Sequence, residues 1–166
     1  MISQLNYKYD PDFKMRLFWA NDVHLDSIYC KREKFFEHCN MADKIILSGD
    51  FWDLMEGKFD KRASKKSPEL ERSEYINDLI DFGIKHLEPI KDKIIGWNAG
   101  NHELSFKKFS DFNLTKQVCK ELGINPIING MHGYYIFRFR HYTHPDKNSN
   151  AVNLCFTHYT GMNGRR

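Results

Sequence analysis

A chain of 166 residues has the length of one domain and can bury a sizeable core. Its 41% hydrophobic and 14% aromatic content excludes a disordered polymer, and a formal charge of +3 permits anionic partners without demanding them. No apolar run is long enough to span a membrane, and Met1-Ile2-Ser3-Gln4-Leu5 lacks the basic-then-apolar order of a signal peptide. Cys30, Cys39, Cys119 and Cys155 are scattered and form no Cys-x-x-Cys pair, so they read as reduced thiols of a cytoplasmic protein.

Taken in order, the chain alternates strand and helix. Residues 16–21 form a first strand, and residues 31–41 a short helix with Phe35, Phe36 and Cys39 on one side. Residues 44–48 are a second strand. The clearest helix follows, with Ile76, Leu79, Ile80, Gly83, Ile84 and Leu87 at three- and four-residue steps. Ser67-Pro68 is its expected start signal and Pro89 limits its far end. Residues 93–97 form a third strand, and Leu114, Val118 and Leu122 mark a helix closed by Gly123. Beyond it the pattern turns hairpin-like. Residues 126–128 are a short strand stopped by Asn129-Gly130, residues 134–142 alternate, residues 144–150 are turn chemistry, and residues 151–156 are a last strand. Helix-rich and hairpin-rich parts together predict two packed sheets in one domain spanning 1–166.

Three polar clusters follow apolar strands directly: Asp22-Val23-His24, Gly49-Asp50 and Gly100-Asn101-His102-Glu103. Buried strands of this kind release their polar successors together at the carboxyl edge of a sheet, where open α/β folds place ligands. Carboxylate, imidazole and amide groups delivered to one spot make a metal site. Between Gly57 and Ser67, Lys58, Lys61, Arg62, Lys65 and Lys66 face only Asp60. That loop reads first as a solvated surface, and second as a basic rim that draws phosphate-bearing molecules inward.

The ordered set resembles the calcineurin-like metallophosphoesterase superfamily, whose signature runs Asp-x-His, Gly-Asp-x-x-Asp, Gly-Asn-His-Glu/Asp, His, and Gly-His-x-His. Gly49-Asp50-Phe51-Trp52-Asp53 meets the second element in full, and the match runs from Asp22 to His158. The resemblance implies an α/β fold, a four-layer αββα sandwich of two sheets flanked by helices. It implies two divalent metal ions, Mn, Fe or Zn, with Asp22 and His24 on one, Asp50 bridging both, Asn101 on the second, and His158 as a further ligand. A bridging carboxylate suits ions roughly 3.5–4 Å apart, and imidazole with amide oxygen suits these metals better than Ca²⁺. His102 takes the place of the histidine that protonates the leaving oxygen. Asp26, Asp53 and Glu103 are expected to fix ligands and loops. His38, His86, His132, His141 and His144 read as ordinary residues.

The closing Gly-His-x-His has no counterpart, since the sequence stops at Gly164-Arg165-Arg166. The expectation is a C-terminally incomplete, metal-dependent phosphoesterase, a fragment, shortened gene or degenerate member, with loosened metal geometry and impaired turnover. Its partners would be phosphomonoesters or phosphodiesters, nucleotides or nucleic acid among them. Two other readings stay open: a phosphoesterase-like binding module without turnover, and a nucleic-acid binder using the loop from Lys58 to Lys66.

Overall fold

Four short apolar segments build the central sheet, the inner two buried on both faces and the outer two half-buried at its edges. The computed structural model describes residues 2–9, 12–54, 70, 74–141 and 150–157. Within them, β2 (Leu17–Asn21), β3 (Lys44–Ser48), β4 (Ile94–Asn98) and β5 (Ile127–Asn129) pair in parallel, in the order β2-β3-β4-β5. Ile45, Ile46 and Leu47 of β3 are fully buried.

Strands that follow one another in space as in sequence are joined by crossovers running in one direction. Right-handed crossovers then put every connecting helix on the same face. That face carries α1 (Arg32–Met41), α2 (Tyr75–Leu87), α3 (Asn101–Ser110) and α4 (Leu114–Glu121). Phe35, Leu79, Val118 and Trp97 meet there in one apolar cluster. The expected starts and stops hold in part. Helix α2 passes at Glu88 into a 3-10 turn, Glu88–Lys93, with Pro89 in its first positions, and Gly123 closes α4 at φ +67°. Helix α2 begins at Tyr75 after Glu74, whereas Ser67-Pro68 lies outside the described residues, as do the basic loop and the 144–149 turn.

The opposite face is covered by a second sheet of β1 (Ile2–Tyr9), β6 (His132–His141) and β7 (Asn150–Thr157), ordered β1-β6-β7. β1 runs parallel to β6, and β7 antiparallel to it. Ile46, Tyr135 and Phe137 form the buried seam between the sheets, with Trp19, Ile95 and Leu154 packed around them. The Tyr135 hydroxyl donates to Asn98 Oδ1 at 2.7 Å, and Asn98 Nδ2 donates to Ser48 Oγ at 3.0 Å, a polar pin at the carboxyl ends of β3 and β4. The α/β sandwich is thus as expected. Among the described residues it has three layers, helices, sheet and sheet; no described helix covers the outer face of the β1-β6-β7 sheet.

Candidate metal centre

The loops after β2, β3 and β4 are stitched to one another by backbone hydrogen bonds. Asp22 N–H donates to Gly49 O at 3.0 Å, His24 N–H to Asp50 O at 3.1 Å, Leu25 N–H to Phe51 O at 2.8 Å, and Gly49 N–H to Asn98 O at 3.1 Å. Making these bonds forces unusual backbone. Asp22, His24, Asp50 and Leu54 all sit at positive φ, between 42° and 52°, beside Gly49 at 59°. Left-handed conformations at non-glycine residues cost on the order of 1–3 kcal/mol each and gather at functional sites. Phe51 and Trp52 hold the loop against that strain. Both are fully buried, and with Trp97 they form ring pairs with centroids 4.8–6.1 Å apart. Asp50 and Asp53 therefore flank an aromatic anchor.

Asp22, His24 and Asp50 each offer a ligand atom, and these atoms lie within 4.8 Å of one another. Asp22 is exposed and Asp50 buried, so the group forms a floor and a rim. Asp53 organises the imidazoles. Its carboxylate accepts from His24 Nδ1 at 3.0 Å, which leaves His24 Nε2 bare for a ligand. Its backbone carbonyl accepts from His102 Nδ1. His102 Nε2 then lies 3.6 Å from Asp50 Oδ2, and the two histidine rings meet edge to face at 5.0 Å between centroids. Asp53, His24 and His102 form a second tight group. Its Nδ1 atoms already carry hydrogens bonded to Asp53, so the Asp22–His24–Asp50 group is the better cradle for a cation.

Helix α3 enters this site from β4, and hydrophobic periodicity gives no sign of it. Its first cap residue, Gly100, has no side chain to offer the helix. Asp50 does that work from another loop, with Oδ1 accepting from His102 N–H at 2.9 Å. Glu103 reaches back to Gly100 N–H at 2.8 Å and across to Trp52 N–H at 3.0 Å. A Cβ on Gly100 would lie 2.1 Å from both the Asp50 nitrogen and Oδ1, so only glycine allows this approach. Asn101 is the first residue of α3, half-buried at the same edge. Asp26 accepts from Asp53 N–H at 2.6 Å and Leu54 N–H at 3.1 Å, and from the Tyr75 hydroxyl at 3.4 Å.

Five acidic side chains thus crowd one loop cluster: Asp22, Asp26, Asp50, Asp53 and Glu103. Burial pushes the Glu103 carboxyl up to about 7, against the pull of its backbone donors and with the help of the Asp50 charge. Burial likewise raises Asp26, assisted by Asp53. His24 is raised by its hydrogen bond to Asp53, with burial opposing and the charges of Asp53, Asp50 and Asp22 adding to it. A divalent cation would relieve this accumulated negative charge, and hard carboxylate oxygens with one imidazole nitrogen fit such an ion.

Of the sequence-derived site residues, Asp22, His24, Asp50, Asn101 and His102 converge at this edge, while His158 lies outside the described residues. His38 packs tilted against Phe18, and His86 stacks on Phe36 and tilts against Phe82. Asp53 holds both histidines, which is the ligand-fixing part read for it from its place three residues after Asp50. No known protein family, curated protein or solved structure matches the chain. No helix among the described residues is long and apolar enough to cross a membrane.

Proposed function

We propose that this chain is a metal-dependent phosphoesterase of the calcineurin-like type, acting on phosphomonoesters or phosphodiesters. The observation that carries the reading is the convergence of Asp22, His24 and Asp50 at one sheet edge, with His24 oriented by Asp53. Asp22, His24, Asp50 and Asn101 would hold the divalent ions. Once bound, such ions supply Lewis acidity that neutralises phosphoryl oxygens and activates water.

The protein's own part is positional. Asp53 keeps His24 Nδ1 protonated, so that Nε2 would be the atom offered to an ion. Asp50 fixes the start of α3, and with it His102. Because His102 Nδ1 is committed to the Asp53 carbonyl, the proton it can pass to a leaving oxygen is the one on Nε2, beside Asp50 Oδ2. Free thiols at Cys30, Cys39 and Cys119 support a cytoplasmic setting. A second reading has its own support: the His102 ring is buried, which favours a phosphoesterase-like module that binds ions and anions without turnover.

Hydrolysis of an aryl and an alkyl phosphodiester, with Mn²⁺ and with chelator, separates the two. Turnover should require metal, and His102→Ala should lower it roughly 10²–10⁴-fold with metal content retained, most severely for the alkyl ester. Metal uptake without any turnover would leave the binding module.

A further inference from the structure

Helix α1 begins against the usual rule for helices. Lys31 occupies its cap position, where a hydroxyl or carboxamide is favoured, and no side chain caps the helix there. Arg32 and Lys34 follow in the first turn, with Glu33 their one acidic neighbour in that turn. Cations at the positive end of a helix dipole weaken it. A segment that breaks a local stability rule at a cleft is a place to look for binding.

The cleft is present. A hollow of about 350 Å³ lies between the β2 edge and α1, and its lining includes Asp22, Val23, Lys31, Lys34 and His38. A second, wider hollow of about 830 Å³ shares Cys30, Lys31 and Lys34 with it and continues past Arg32 to His86. Lys31 and Lys34 are both exposed and have no ion-pair partner among the described residues. Arg32 is held over the Phe82 ring, 5.3 Å from its centroid. Immediately before this turn stands Tyr29, 71% exposed, next to Ile28 at 39%. The groove thus leads away from Asp22 with a positive wall, and the bare Tyr29 ring stands one residue before Cys30, which lines both hollows.

We infer that this groove binds single-stranded nucleic acid, with Lys31 and Lys34 on backbone phosphates and Tyr29 stacked on a base. The inference rests on the phosphoesterase reading, since it puts the phosphate nearest Asp22 at the candidate metal centre and makes the substrate a phosphodiester polymer. Two contiguous hollows suit a chain of several nucleotides better than one small ester. A positive groove combined with an exposed aromatic platform is the chemistry by which single strands are held. The acidic side chains Asp22 and Glu33 line the same hollows. Asp22 is the one a bound cation would neutralise, which leaves the lysines as the net charge of the inner hollow.

Fluorescence anisotropy of a labelled oligothymidylate about 12 nucleotides long, titrated with the intact chain in Mn²⁺ over a range of salt, is the test. Each single-strand phosphate contact contributes about 0.7 to the slope of log K against log salt, so Lys31→Gln with Lys34→Gln should reduce it by about 1.4. Tyr29→Ala should weaken binding roughly 5- to 150-fold. Both changes are at exposed positions and leave the core intact. An unchanged slope and affinity in the double variant, or no binding by the parent chain, overturns the inference whether or not the chain hydrolyses esters. A reduced slope with no effect of Tyr29→Ala overturns it too, because the occupant is then a polyanion without bases. Binding that depends on all three residues, with the oligonucleotide left uncut, supports the groove and overturns the claim that its occupant is the substrate, while the aryl and alkyl ester assays decide the phosphoesterase reading separately.

Discussion

The substitution Asp53→Asn tests how the candidate metal centre is held together. The introduced amide oxygen can still accept from His24 Nδ1 across the present 3.0 Å, and the backbone carbonyl that accepts from His102 is untouched. Geometry is therefore kept while one negative charge is lost. Removing a carboxylate that orients a metal-ligating histidine typically lowers metal affinity about 10- to 100-fold, or about 1.4–2.8 kcal/mol at about 1.4 kcal/mol per tenfold. One effect has the opposite sign. The hydrogen bond to Asp53 is the largest cause of the raised His24 pKa, so the variant should lower that pKa and reduce proton competition for Nε2. Titration calorimetry with Zn²⁺ near pH 8, where competition is small, isolates the direct loss, and histidine NMR follows the pKa. Unaltered affinity together with an unaltered His24 titration would refute the assigned role of Asp53.

Gly100→Ala should cost about 1–3 kcal/mol by overpacking, because its Cβ would meet Asp50 at 2.1 Å. At about 2–4 °C per kcal/mol for a chain of this size, calorimetry should show a melting temperature roughly 2–12 °C lower, with weaker metal uptake. The pH dependence of the metal-free protein follows from two raised pKa values. Glu103, with an ordinary value of 4.5 raised to about 7, contributes stability below pH 4.5 that is lost as pH rises toward 7. The His24–Asp53 pair has the same sign, its contribution present below 6.5 and lost as pH rises through the raised value. The apo melting temperature should therefore fall from pH 5 to pH 8, Glu103→Gln should flatten that fall, and the melting-temperature gain from added metal should grow over the same range.

What could be read from the sequence followed the visibility of its apolar pattern. Ile45-Ile46-Leu47 is an unbroken apolar run, and β3 has the bounds read around it, Lys44–Ser48. The helix marked by Leu79 and Leu87 is likewise where periodicity put it, although its start is not at Ser67-Pro68. β1 escaped because its inward side carries Ser3, Leu5 and Tyr7 against exposed Ile2, which inverts the expected alternation at its first residues. Helix α3 escaped for a related reason. The residues it buries are His102 and Glu103, so the side that faces inward carries chemistry and no hydrophobic stripe. The convergence of Asp22, His24 and Asp50 was legible because each follows a strand. The pairing of Asp53 with both histidines depends on the positive-φ turns at Asp50 and Leu54, which composition and spacing do not reveal.

The most direct test of the metal centre is an anomalous difference map at the zinc edge from crystals grown with Zn²⁺. The account predicts a peak roughly 2.0–2.2 Å from His24 Nε2 and from carboxylate oxygens of Asp22 and Asp50. Zinc bound elsewhere, with His24 Nε2 and Asp50 free of it, would contradict the account.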